Sequence, residues 1–191
     1  MILTRSEIET LSGIRNINEA QRTQRMFSYS STSVSVFLSH KHSDRTELQA
    51  VKKILEDCGA RPYVDWLDPA MPDETIAETA IKIKQKIDKC GKFIFIATDA
   101  ALRAPWCNWE IGYGDSKKLS LDAIALFAIK ENERKWSGNE YLQLYPVIEY
   151  EKGFDKYTDG NTISKGYYVN NPPLSDGTRV ITPLKQWLLQ K

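Results

Sequence analysis

The chain predicts an α/β fold: a flavodoxin-like five-stranded parallel sheet, order 2-1-3-4-5, with helices on both faces and an N-terminal helical extension. Three observations carry this. From Val34 onward, short β-rich runs alternate with stretches whose apolar residues fall at helical spacing. Two of the runs, Phe93-Ile94-Phe95-Ile96-Ala97 and residues 123–129, are continuously apolar, as strands covered on both faces must be. Glycine or proline marks several of the changes between elements, at Gly59, Gly91 and Pro105.

Composition excludes several function classes. Among 191 residues, 26 Lys+Arg against 25 Asp+Glu give a formal net charge of +1, without the basic excess of a general nucleic-acid binder. With 41% hydrophobic and 27% charged residues, the chain is suited to a packed core rather than disorder. The longest purely apolar run, 123–129, is far short of the roughly 20 residues of a membrane span. Met1-Ile2-Leu3-Thr4-Arg5-Ser6-Glu7 has no apolar core like that of a secretory signal. Three cysteines without a CxxC pair fit a reducing cytoplasm.

Residues 1–33 read as an N-terminal helix and linker, and 34–191 as the main domain. Ser6 with Glu9 suggests a capping box, and Ile8, Leu11 and Ile14 an apolar stripe behind it. Ser28-Tyr29-Ser30-Ser31-Thr32-Ser33 is a polar linker. The first strand is 34–39, followed by a helix on Leu48, Val51, Leu55 and Cys58 that ends at Gly59. The second strand, 61–66, carries Pro62 and so belongs at an edge. A loop over 67–73 opens on Leu67 and closes on Asp73, which is placed to cap a helix on Ile76, Ala77, Ala80, Ile83 and Ile87. The third strand is 93–97, and Pro105 opens a helix to about Lys118. The fourth and fifth strands are 123–129 and 144–150. Residues 151–180 read as irregular, and Thr182-Pro183 as the N-cap and first turn of a last helix.

In such sheets ligands bind beyond the carboxyl ends of the strands, which points to segments 39–44, 65–73, 98–110 and 130–139. The most informative run is Trp106-Cys107-Asn108-Trp109-Glu110-Ile111-Gly112-Tyr113. On a helix, Trp106, Trp109, Glu110 and Tyr113 fall on one face. A carboxylate buried among aromatics needs a partner, and one lining a cleft is available for chemistry. The alternative is a glutamate that merely answers the helix dipole near its start. Gly112 and Gly114 suggest close packing or ligand approach. In Ser39-His40-Lys41-His42-Ser43-Asp44, the alternating spacing of His40, His42 and Asp44 does not define a metal geometry, and no metal is expected. Asp44 fits a helix cap. A Cys107–His40 nucleophile pair would need Cys107 to face the cleft, and its helical phase points it away from Glu110. The chain has neither a GxGxxG nor a Walker A motif.

At these residues the chain resembles a TIR domain. The boxes are Val36-Phe37-Leu38-Ser39-His40-Lys41-His42-Ser43-Asp44, then Tyr63-Val64-Asp65-Trp66 with the segment to Asp73 in place of the family's BB loop, then Phe93-Ile94-Phe95-Ile96-Ala97-Thr98, then Ala104-Pro105-Trp106-Cys107-Asn108-Trp109-Glu110. The last contains W-x-x-x-E and is similar to the "S-x-W-C-x-x-E" box of bacterial TIR proteins. The resemblance spans about residues 34–150 and departs in two places. The 67–73 loop lacks the glycine that often follows its proline, and His40 stands where the family often has tyrosine.

The resemblance implies cleavage of the nicotinamide–ribose bond of NAD+, with Glu110 catalytic. It assigns Ser39, His40, Asp44, Asp65, Trp66, Trp106 and Tyr113 to the substrate site. NAD+ is then the substrate, and no separate cofactor is implied. The product would be a linear, cyclic or conjugated ADP-ribose derivative. A lone TIR enzyme resembles the signal-producing component of Thoeris anti-phage defence, which reaches a separate effector protein through a diffusible nucleotide. The resemblance also implies a homo-oligomer assembled through the 67–73 loop. Two other readings are a non-catalytic TIR adaptor and a nucleoside deoxyribosyltransferase on a similar sheet.

Overall fold

The computed structural model describes residues 1–13, 33–69, 77–131, 136 and 138–190. All of the predicted linker but Ser33, most of the 67–73 loop with Asp73, and Ile14 and Ile76 lie outside the described residues. Five parallel strands form the body of the sheet: β2 (Ser35–Ser39), β3 (Arg61–Tyr63), β4 (Lys92–Ala97), β5 (Ile124–Lys130) and β6 (Val147–Glu151). They stand in the order β3-β2-β4-β5-β6. β3 pairs with β2 on one side only, so Pro62, which has no N–H to donate, sits on an edge strand. All six residues of β4 are buried, as its unbroken apolar run requires.

The sheet extends further than five strands. β7 (Gly166–Asn170) and β8 (Ile181–Pro183) continue it in antiparallel fashion beyond β6. β7 lies inside the stretch read as irregular. Its alternation is short, and the Gly- and Asn-rich surroundings mask it in the sequence. The last helix, α6 (Leu184–Leu189), starts after Pro183, because Thr182 is paired in β8 rather than capping a helix.

The N-terminal segment joins the same sheet. β1 (Leu3–Thr4) pairs in parallel with the end of β5, Leu3 opposite Ile129. Thr4, not Ser6, caps α1 (Arg5–Ser12): its hydroxyl accepts from the Glu7 N–H at 3.3 Å, and the Glu7 carboxylate accepts from the Thr4 N–H at 2.9 Å. Gly13 closes the helix at φ +70°, a left-handed conformation that glycine adopts without cost.

Two apolar layers sandwich the sheet. On one face Val36, Leu38, Ile94, Ile96 and Phe127 pack against Ile8 of α1, Leu48, Val51 and Leu55 of α2 (Arg45–Asp57), and Trp187 of α6. On the other, Phe37, Phe93, Phe95 and Leu126 pack against Ile83 and Ile87 of α3 (Ala77–Lys89) and Cys107 and Ile111 of α5 (Pro105–Lys118). Burial of side chains this size contributes about 1.5–3 kcal/mol each before entropy is counted. The layers fix where the carboxyl ends of β2, β3 and β4 meet.

Candidate active site

At that edge a polar residue stands at or shortly after the end of each of these strands. Ser39 is the last residue of β2, Asp65 opens a 3-10 turn immediately after β3, and Thr98 follows β4. The strand predicted over 61–66 therefore stops at Tyr63, and the turn carries Asp65 and Trp66 out of the sheet. Thr98 caps the short helix α4 (Asp99–Leu102), accepting from the Ala101 N–H at 3.0 Å. Pro105 then opens α5, where its fixed φ fits and its missing N–H costs nothing. Gly114 lets α5 lie close on β4, since a Cβ there would come within 3.0 Å of the Phe93 ring. Gly112 has no such neighbour, so close packing explains only one of the two glycines.

This docking drives Glu110 into the interior. It is 3% exposed, and its Oε2 accepts a 2.5 Å hydrogen bond from the Ser39 hydroxyl. The Trp106 indole lies near enough to favour the ionised form of the carboxyl. Glu110 makes no ion pair among the described residues. Burial raises its pKa to about 8; the Ser39 bond opposes the rise, the Asp65 charge adds to it, and Trp106 opposes it. This is not a helix-start carboxylate facing solvent and answering a dipole.

The aromatic stripe runs past the carboxylate rather than around it. Trp106 stacks on Trp109 with centroids 4.9 Å apart, and Trp109 on Tyr113 at 6.4 Å. The Tyr113 hydroxyl donates to Asp88 of α3, and Lys84 and Lys117 lie over its ring, so Tyr113 is engaged with α3 rather than with Glu110. Trp66 is about one-third exposed beneath the Arg45 guanidinium, 5.3 Å from the ring centroid.

Asp44 stands at the N-cap position of α2 but makes no side-chain cap. It is buried, and its carboxylate accepts from the Thr98 hydroxyl, tying the exit of β2 to the exit of β4. Sequence reading missed Thr98 as a partner, because no spacing rule links residues 54 apart on different strands. Cys107 is buried, and its thiol donates to the His40 carbonyl at 3.3 Å, not to the imidazole. Burial, with the Glu110 charge second, pushes the thiol to about 12, so it carries no thiolate and the Cys107–His40 pair is not a nucleophile.

His40 is buried, with Nδ1 3.0 Å from the Leu38 carbonyl and Nε2 3.8 Å from Asp65 Oδ1. His42, exposed, places its Nε2 3.8 Å from Asp65 Oδ2. Burial pushes the His40 pKa down, and the Asp65 charge opposes this. The structure thus brings both histidines to Asp65, where the sequence spacing had grouped them with Asp44. At the carboxyl edge of the sheet stand, in one neighbourhood, a proton-holding carboxyl at Glu110, a hydroxyl at Ser39 that orients it, and a second carboxylate at Asp65.

The sequence model of the family described as TIR domain matches residues 36–158. A probable 3' cyclic ADP-D-ribose synthase ThsB' of Bacillus cereus (strain MSX-D12) is 28% identical over 115 residues, 59% of each chain. A putative cyclic ADP-D-ribose synthase TIR2 of Cytobacillus dafuensis is 26% identical over 101 residues, 51% of this chain and 27% of that protein. The matches therefore span 59% and 27% of the lengths of these two relatives.

Proposed function

The chain belongs to the TIR domain family, and from that premise we propose that it cleaves the nicotinamide–ribose bond of NAD+ and converts the ADP-ribosyl remainder into a cyclic signal nucleotide. The observation that carries this is the Glu110 carboxyl, buried without a counter-cation among the described residues and held by Ser39 at the ligand-binding edge of the sheet. The names of the two relatives point to the same product class.

The chemistry follows from the site. The C1'–N bond of NAD+ breaks with its electron pair leaving on nicotinamide, which departs neutral and needs no acid. Positive charge develops on the ribose, as in an oxocarbenium-like glycosyl transfer. Ionised Glu110 stabilises that charge in a dry site, where a carboxylate acts far more strongly than in water. A nucleophile from the same molecule then closes the ring on C1', and a carboxylate with a proton affinity near neutrality suits uptake of any proton released. Cationic nicotinamide beside Glu110 favours the ionised form, so substrate draws out the state the reaction uses. Trp106 and Trp109 offer flat faces for a ring of the substrate.

The same reading extends to assembly through the 67–73 loop and to a cytoplasmic role in anti-phage signalling, with the nucleotide carrying the message to a separate effector. Among the described residues no helix is long and apolar enough to cross a membrane.

The test is NAD+ turnover by concentrated protein, wild type beside Glu110→Gln, with mass spectrometry of the products. Release of nicotinamide by wild type alone supports the reading, and the product mass separates cyclisation from hydrolysis. No turnover by wild type, in buffer or in extract of phage-infected cells, favours an adaptor.

A further inference from the structure

The chain contains two histidines in 191 residues, and both direct Nε2 at one carboxylate. The donor atoms of His40, His42 and Asp65 all lie within 4.8 Å of one another. They come from the exits of two different strands, β2 and β3. The His40 Nε2 is buried and has no hydrogen-bond partner among the described residues. Its ring is 2% exposed, and its Nδ1 faces the Leu38 carbonyl at 3.0 Å. A neutral imidazole whose Nδ1–H donates to that carbonyl holds a bare lone pair on Nε2, and that lone pair faces the Asp65 carboxylate.

Two acceptors facing each other at 3.8 Å are too far apart for a hydrogen bond and repel rather than attract. A cation between the two groups relieves the repulsion without a charged imidazole. Backbone anchoring of Nδ1 with Nε2 left free is also how proteins fix a metal-binding histidine.

We propose that His40, His42 and Asp65 bind a divalent transition-metal cation of the zinc type. Two imidazole nitrogens and one carboxylate oxygen are a donor set that such ions take, with water completing the coordination. Ligand atoms on a tetrahedral zinc stand about 3.3 Å apart, so closing donor atoms that lie within 4.8 Å of one another asks for shifts of up to about 1.5 Å. The exposed His42 ring and the turn that carries Asp65 supply that movement. The bound ion would clamp the exit of β2 to the exit of β3, beside Glu110. This inference stands independently of NAD+ chemistry.

The experiment uses the full chain without a histidine tag and Co2+ as the reporting ion. The expected result is saturable binding of one equivalent, with visible ligand-field bands of low-symmetry nitrogen and oxygen coordination. Zn2+ should abolish those bands by competition and shift the proton resonances of both imidazoles. His42→Ala, at an exposed ring that the fold does not need, should weaken binding at least tenfold while leaving the thermal midpoint of the metal-free protein unchanged. Asp65→Asn should weaken it similarly. Absence of saturable bands at millimolar Co2+ would overturn the proposal. So would binding that His42→Ala does not weaken, or a sulfur-to-cobalt charge-transfer band, which would assign the ion to a cysteine.

Discussion

Two glutamates are buried to nearly the same extent on helices that follow strands of this sheet, and they face opposite situations. Glu47, in the first turn of α2, is 2% exposed, and Glu110, in α5, is 3% exposed. Glu47 pairs with the guanidinium of Arg5, which α1 lays across it. Glu110 has a hydroxyl and an indole, and the nearby charge on Asp65 has its own sign. Burial alone therefore does not mark a reactive carboxylate. What distinguishes Glu110 is a site that withholds the counter-charge, so that the cation must come from outside.

The largest effect should come from removing that uncompensated charge. Glu110→Gln should cut NAD+ cleavage by about 100-fold or more while preserving the fold. It should also stabilise the protein in alkaline solution. The folded pKa of about 8 lies above the ordinary glutamate value of 4.5, so between those values the folded chain holds a proton that the unfolded chain has shed. Unfolding free energy then falls as pH rises from about 4.5 to about 8 and levels off above, a loss on the order of a few kcal/mol. Urea unfolding at pH 5 and pH 9 should show wild type losing stability relative to Glu110→Gln; parallel curves would mean that Glu110 is ionised and compensated.

Arg5→Ala is the converse, making Glu47 resemble Glu110. It strands a buried carboxylate, and because Arg5 itself is half exposed the cost should be about 1–3 kcal/mol at pH 8, less than for a fully buried pair. Replacing the acid as well, in Arg5→Ala/Glu47→Gln, should recover most of that cost. A double variant no more stable than Arg5→Ala alone would show that packing, not charge, is what Arg5 supplies.

Ser39→Ala sharpens the comparison from the other side. The hydroxyl favours the ionised form of Glu110, so its loss should raise the pKa of Glu110 further. The acid limb of kcat/KM should move to higher pH, with about a tenfold loss at pH 7. A uniform loss with an unmoved limb would make Ser39 a substrate contact only.

The contrast also explains what was legible in the sequence. The parallel strands and their order follow from runs such as Phe93–Ala97 and from Pro62, because hydrophobic period and backbone chemistry are local signals. Glu110 was legible as a carboxylate on an aromatic stripe. Its burial was not, since that depends on Gly114 admitting α5 against Phe93. The Arg5–Glu47 and Asp44–Thr98 ties join distant segments, and nothing in the spacing of either partner announces the other. Tyr113 shows how far helical phase reaches. Helical phase put it beside Glu110, but a stripe is wide enough for its outer edge to contact a neighbouring helix, and Asp88 holds it there. β7 was lost for want of a long alternation, and its register is set by its pairing with β6.

The smallest expected effect concerns the thiols. Cys107 sits beside Glu110 but is buried, with its pKa pushed to about 12. Cys90 is buried as well, and Cys58 is half-buried at the C-terminus of α2. That end of α2 returns toward the start of β3, at the edge of the sheet opposite the site. Iodoacetamide at pH 8.5 should therefore add one adduct to the native protein, at Cys58, and leave NAD+ turnover within about twofold of the untreated value. Burial also raises the Cys58 pKa, so even this adduct should form slowly. Unfolding in urea should make all three thiols react. A fast adduct on Cys107 in the native state, with loss of turnover, would mean that the thiol is ionised in the folded protein. It would then share with Glu110 the property that Glu47 lacks, and the contrast between compensated and uncompensated groups would have to be redrawn around two reactive residues on α5.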